Sequence, residues 1–211
     1  MSELDEQIAS ADGKVAQLVS EVPGAKENLL DAAVQFCAEW IDHMAKQTVA
    51  SQPQQTKALG HEALSQLKAE INALKEALPA KVRVAFDESK TLPSLDDIQS
   101  ADNPASLGWR IMATSAYGNR KLPGGVDAAV RLVIGELGPL LMARGFDQGS
   151  DRWGSGTPRW RYNLDASDGL CAACNQFTEV WIALGQASKS ARHIRERRES
   201  DEAIDIWDEA W

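Results

Sequence analysis

The stretch TKALGHEALSQLKAEINALKEALP, residues 56–79, spaces its large apolar residues for a helix. Leu64, Leu67, Ile71, Leu74 and Leu78 follow one another at steps of 3, 4, 3 and 4, which puts all five on one narrow stripe. A stripe that keeps to this alternation without drifting is the seam of long, nearly parallel helix packing. It is too narrow to bury itself, so it needs a neighbouring helix or a second copy of the chain. These five residues are therefore the candidate oligomer seam, and Pro79 is the expected stop.

The same pattern precedes this stretch twice. Leu4, Ile8, Ala11, Val15, Leu18 and Val22 step 4, 3, 4, 3 and 4, and Pro23-Gly24 is expected to end that helix. Leu30, Ala33, Cys37, Trp40 and Met44 then step 3, 4, 3 and 4, with Leu29, Phe36 and Ile41 widening the stripe until the polar run at 51–55. Connections this short suit antiparallel neighbours, so residues 1–86 read as a heptad-patterned helical hairpin or three-helix bundle.

Beyond it, residues 87–106 read as a linker or crossover with two prolines and many small polar residues. Within it, Ser94 and Asp97 have the spacing of a reciprocal N-terminal cap and predict one short helical turn. Residues 107–211 read as a helical unit. A short helix is expected over 107–117. A longer one, apolar over most of its circumference, is expected over 126–143, bent or broken near Gly138-Pro139. Residues 145–164 place Trp153, Trp160, Tyr162 and Leu164 around Gly154-Ser155-Gly156-Thr157, the pattern of a small β-hairpin. A last helix, capped by Asp165 or Ser167, carries Phe177, Trp181, Leu184, Ala187, Ala191 and Ile194 on one face and either runs on through Trp207 or breaks near Ser200. The fold class is mainly α with one small hairpin.

With 211 residues, 44% of them hydrophobic, the chain can bury a substantial core. Its net charge of -9 gives no global field to attract nucleic acid or an anionic membrane, so any such binding must be local. The longest apolar run is interrupted by Asp127, Arg131 and Glu136, and the opening MSELDEQ lacks the basic and apolar regions of a signal peptide. Three cysteines cannot build a disulfide framework. A cytoplasmic protein without a membrane partner is the expectation.

The sharpest chemical motif is Cys171-Ala172-Ala173-Cys174, near a helix start, where two thiols could share a metal or form a redox pair. No second paired set of ligands accompanies it: Cys37, His43, His61 and His193 are scattered, and the bland reading is two small core residues. Cys171 and Cys174 are thus weak metal candidates, and no cofactor is called for. Residues 118–125, GNRKLPGG, could hold an anion ahead of the next helix, but Asp127 fills the same electrostatic role. No nucleophile, metalloprotease, phosphate-loop or dinucleotide motif is present, which favours a non-catalytic role.

Recognition signals gather in the last third. Up to residue 125 there are nine Lys and three Arg, and beyond it one Lys and nine Arg; five of seven Trp lie beyond residue 150. Arg and Trp are the residues that carry binding energy at interfaces. Arg152, Trp153, Arg159, Trp160, Arg161 and Tyr162 interleave cations with aromatics. Lys189, Arg192, Arg195, Arg197 and Arg198 form a basic run, which Glu199, Asp201 and Glu202 would neutralise one helical turn on. Ile204, Trp207 and Trp211 share a face that either docks on the chain's own core or enters a partner's groove. The candidate partner-binding residues are Trp153, Arg159, Trp160, Arg161, Tyr162, Arg195, Arg198, Trp207 and Trp211. They read as the contact surface of an assembly or adaptor subunit for a protein partner or a second copy. The alternative is a nucleic-acid-binding accessory protein using the Arg/aromatic hairpin and the basic run.

Overall fold

A computed structural model describes residues 3–90, 92–104, 124–147 and 166–209. The chain is mainly α-helical: 91% of the described residues lie in six helices, and none of them forms a strand. The helices are α1 (Glu3–Ser51), α2 (Pro53–Glu76), α3 (Leu78–Ser89), α4 (Leu95–Ser100), α5 (Gly124–Met142) and α6 (Ala166–Glu209). The expected helix at 107–117 and the expected β-hairpin at 145–164, beyond its first three residues, lie outside the described residues.

The chain divides into two compact units that cut across chain order. One gathers Met1–Glu27, Pro93–Trp109 and Asn175–Trp211, the other Asn28–Leu92 and Arg110–Cys174, each taken over its described residues. Each unit therefore takes one part of α1 and one part of α6.

One expected helix end is not made, and a second helix is unbroken where a bend or break was expected. α1 runs through Pro23-Gly24 without interruption for 49 residues. An internal proline costs about 3 kcal/mol, but Leu18, Val22, Leu29 and Leu30 are buried on the turns around it, at about 1.5–3 kcal/mol each. Packing wins, and Pro23 itself points to solvent. α5 likewise passes Pro139 and continues to Met142. Gly135, whose carbonyl loses its donor there, is exposed to water.

Pro79 marks a start rather than a stop. α2 ends at Glu76, a single joint residue, Ala77, follows, and α3 begins with Pro79 in its first turn, where the missing N–H has no partner to lose. Gly60, at φ 73° and ψ 175°, kinks α2 near its beginning in a conformation closed to other residues. α4 carries the expected reciprocal cap: the Asp97 N–H donates to Ser94 Oγ at 3.1 Å, and the Ser94 N–H donates to Asp97 Oδ2 at 3.0 Å.

In the second unit, α3 and α2 both pack on α5. Val126, Ala129, Val130, Val133, Leu137 and Leu141 form the buried line of α5, with Val82, Ala85 and Phe86 buried on α3. Contact is so close that a Cβ added at Gly125 would lie 2.5 Å from the Phe86 ring. Lys81 of α3 pairs with Glu136 of α5, and Lys75 of α2 with Asp42 of α1.

The end of α5 is built as a left-handed cap. Gly145 at φ 73° turns the chain, its N–H donates to Met142 O at 2.8 Å, and the Phe146 N–H donates to Leu141 O at 3.2 Å. Phe146 and Leu141 are both buried, the apolar contact this cap usually carries. The polar run between α1 and α2 then holds it from outside. Gln52 Nε2 donates to Asp147 O at 2.7 Å while Gln52 Oε1 accepts from the Asp147 N–H at 2.8 Å, and Gln55 Nε2 donates to Arg144 O at 2.5 Å.

In the first unit, α6 carries the core. Phe177, Trp181, Leu184 and Ala191 are buried, and Phe177 meets Trp181 edge to face with ring centroids 5.9 Å apart. Ala187 and Ile194, expected on the same face, are half-buried, and Ser188 takes the buried position between them. α6 does not break near Ser200 and continues to Glu209.

Candidate interaction surface

The basic run of α6 is positioned by its helical spacing. Arg195 and Arg198, three residues apart, lie side by side on one face, and Asp5 and Asp12 of α1 lie seven apart on another. Arg195 forms an ion pair with Asp12. Arg198 donates to Glu202 Oε1 at 2.8 Å and lies 3.5 Å from Asp5 Oδ1. The hydrogen bond that Arg198 donates to Glu202, then the charges of Glu202 and Asp5, hold the Arg198 guanidinium above its ordinary pKa.

Two further cations of the run reach backbone. Lys189 Nζ donates to Asp102 O at 3.0 Å, and Arg192 donates to Ala101 O at 3.4 Å. Both acceptors lie just past α4, and Gly185 lets this segment seat closely on α6: a Cβ there would be 2.4 Å from Pro104 Cβ. Of the expected pairs within the run, Arg198 with Glu202 is made, whereas Arg195 pairs with α1. Four cations of the run are thus engaged inside this unit, largely through α1 and the segment after α4, where the sequence pattern pointed to neutralisation by Glu199, Asp201 and Glu202 or, as the alternative, to an anionic partner.

The aromatic part of the candidate surface divides. Trp207 is exposed (64%), together with Ile204 (55%) and Ile206 (69%) in the last turns of α6. Glu199, Asp201 and Glu202 are exposed on the turns before them. Trp153, Arg159, Trp160, Arg161, Tyr162 and Trp211 lie outside the described residues.

The candidate oligomer seam is occupied within one chain. Leu67, Ile71, Leu74 and Leu78 are buried, and Leu64 is half-buried. The first turns of α1 differ: Leu4, Ile8, Ala11 and Val15 are only half-buried. Beside them a groove of about 820 Å³ runs between the start of α1 and the middle of α6. Glu3, Gln7, Ser10 and Lys14 line it from α1, and the small residues Ala183, Ala187 and Ser190 line it from α6. Sequence reading placed Ala11, Ala187 and Ile194 on helical stripes but missed the groove, because most of its other lining residues are small or polar and leave no mark in a pattern of large apolar residues.

The cysteine pair sits at the beginning of α6. Cys171 is half-buried and Cys174 buried, and burial, then the nearby Cys171, pushes the Cys174 thiol up to about 12. Burial pushes the Cys37 thiol to about 12 as well. At Cys37 and Cys174, burial thus opposes the thiolate that thiol exchange needs. No group of three or more His, Cys, Asp or Glu side chains arranged to hold a metal occurs among the described residues, and no helix there is long and apolar enough to cross a membrane. Comparison with protein-family models, with curated proteins and with solved structures finds no significant match to the chain.

Proposed function

We propose that the chain is a non-catalytic assembly or adaptor subunit of the cytoplasm, which self-associates through its N-terminal helical bundle and engages a protein partner through its Trp/Arg-rich C-terminal third. The exposed end of α6 carries this reading. Ile204, Ile206 and Trp207 present apolar area to solvent on a helix whose other side chains there are largely acidic. An amphipathic helix of that kind suits insertion into a groove with an apolar floor and a basic rim. On the same reading, residues 145–164 form a small β-hairpin whose Trp153, Arg159, Trp160, Arg161 and Tyr162 extend the surface. The engagement of Lys189, Arg192, Arg195 and Arg198 inside the chain favours a protein over a nucleic acid as partner.

The test is deletion of residues 203–211, with Trp207→Ala as the finer change. Partner proteins recovered with the wild-type chain are purified and their affinities for wild type and variants measured. An unchanged melting temperature with at least tenfold weaker binding of a purified partner supports the reading. A melting temperature lowered by several degrees makes the segment part of the fold, and unchanged stability with unchanged binding removes it from recognition. Either result overturns the proposal for this surface.

A further inference from the structure

The groove beside the start of α1 lies between two helices, and its α1 wall carries charges of both signs at a regular distance, whereas its α6 wall carries none. Glu6 and Lys14 are both exposed, and neither is engaged by another side chain among the described residues. They lie four residues before and four residues after Ser10, which is also exposed at the groove. Eight residues of helix span about 12 Å. If a second α1 helix is laid antiparallel with the two Ser10 residues facing, each residue i comes level with residue 20 minus i of the other copy. Lys14 of each copy then stands beside Glu6 of the other and one turn from its Glu3. The charge pattern of this face is complementary to itself under a two-fold rotation, the commonest symmetry of soluble oligomers.

The packing groups fit the same arrangement. Ser10 at the crossing point is small, and at Gly13 a side chain would meet nothing within 4 Å in the single chain, so two helix backbones can approach closely there. Ala183, Ala187 and Ser190 on the opposite wall leave room for the incoming helix. Ala11, which lines the groove, and Leu4, Ile8 and Val15 of the same helix are half-buried, apolar area that one chain leaves partly uncovered.

We infer that this groove receives the α1 helix of a second copy of the chain, antiparallel about Ser10, with Lys14 of each copy held by Glu3 and Glu6 of the other. The inference rests on the assembly role proposed above and moves its contact surface from the α2 seam, which is filled within one chain, to the α1–α6 groove. The faces available are about 18 Å long, which places the interface below about 1,200 Å², among weak and reversible associations.

Sedimentation velocity of the full chain across concentration tests it. Dimer is expected to appear at about 10–100 µM and to recede as salt is raised, because exposed ion pairs are screened. Glu6→Lys or Lys14→Glu alone should weaken association about tenfold or more, since each change acts twice across the two-fold axis, and the double variant should recover most of it. Ser10→Arg, which faces solvent in the single chain, should abolish association with an unchanged helical signal and melting temperature. A chain that associates but ignores all three changes overturns this surface and leaves the assembly role standing. A wild-type chain that stays monomeric throughout overturns both.

Discussion

Arg195 of α6 and Asp12 of α1 are joined as an ion pair across 183 residues of chain. Both side chains are close to half exposed, 48% and 46%. The pair therefore fixes which faces of the two helices meet more than it stabilises them, because an exposed ion pair is worth about 0.2–1 kcal/mol. A double-mutant cycle with Asp12→Ala and Arg195→Ala should give a coupling energy in that range, shrinking in high salt. A coupling above about 2 kcal/mol would show that the pair is far better shielded than its exposure indicates.

Two glycines predict opposite outcomes. Gly185→Ala puts a Cβ 2.4 Å from Pro104 Cβ and 3.3 Å from the Ile98 carbonyl oxygen, neither of which can swing away. It should destabilise by about 1–3 kcal/mol or more. At Gly135, also helical, a side chain meets nothing within 4 Å, and Gly135→Ala should stabilise by about 0.5–1 kcal/mol. Denaturant midpoints of the two variants decide it, and equal effects would mean that α6 does not approach Pro104 this closely.

Ile71→Asp with Leu74→Asp places two carboxylates at positions 7% and 6% exposed. The cost should be several kcal/mol. Because these side chains are covered within one chain, the loss of melting temperature should be the same at low and high protein concentration. A loss that grows on dilution would place the α2 stripe between copies.

The buried thiols predict alkaline sensitivity. Cys37 and Cys174 ionise near 12 in the folded chain against an ordinary value of 9.0. Folding therefore favours the neutral thiol: its contribution is complete below about pH 9, declines as pH rises above it, and is gone above about 12. Stability should fall between those values, and Cys37→Ala should flatten part of the fall. A pH profile unaltered by that change would assign the alkaline loss to other groups.

What could be read from sequence alone was whatever is local and periodic. The 3, 4 spacing placed helices around Leu30–Met44 and Leu64–Leu78, and the Ser94–Asp97 cap was legible because its donors and acceptors sit within three residues. Pro23 misled because the competing term, burial of Leu18, Val22, Leu29 and Leu30, is tertiary. Pro79 misled because proline suits the first turn of a helix as well as the residue after its end. Within the interaction surface, the Arg198–Glu202 pair follows from i, i+4 spacing, whereas Arg195 had an equally good local acceptor in Glu199 and takes Asp12 instead. The groove rests on small residues, which leave little mark in a pattern read by hydrophobicity.

The amide of Gln52 works from both ends, giving its N–H to Asp147 O and taking the Asp147 N–H on its oxygen. Hydrolysis of that amide to a carboxylate, the slow chemical ageing to which glutamine is subject, would put an oxygen against the Asp147 carbonyl where an N–H now donates. Gln52→Glu reproduces the aged form, and the Asp147 amide should then exchange its hydrogen faster with solvent while the helices keep their protection.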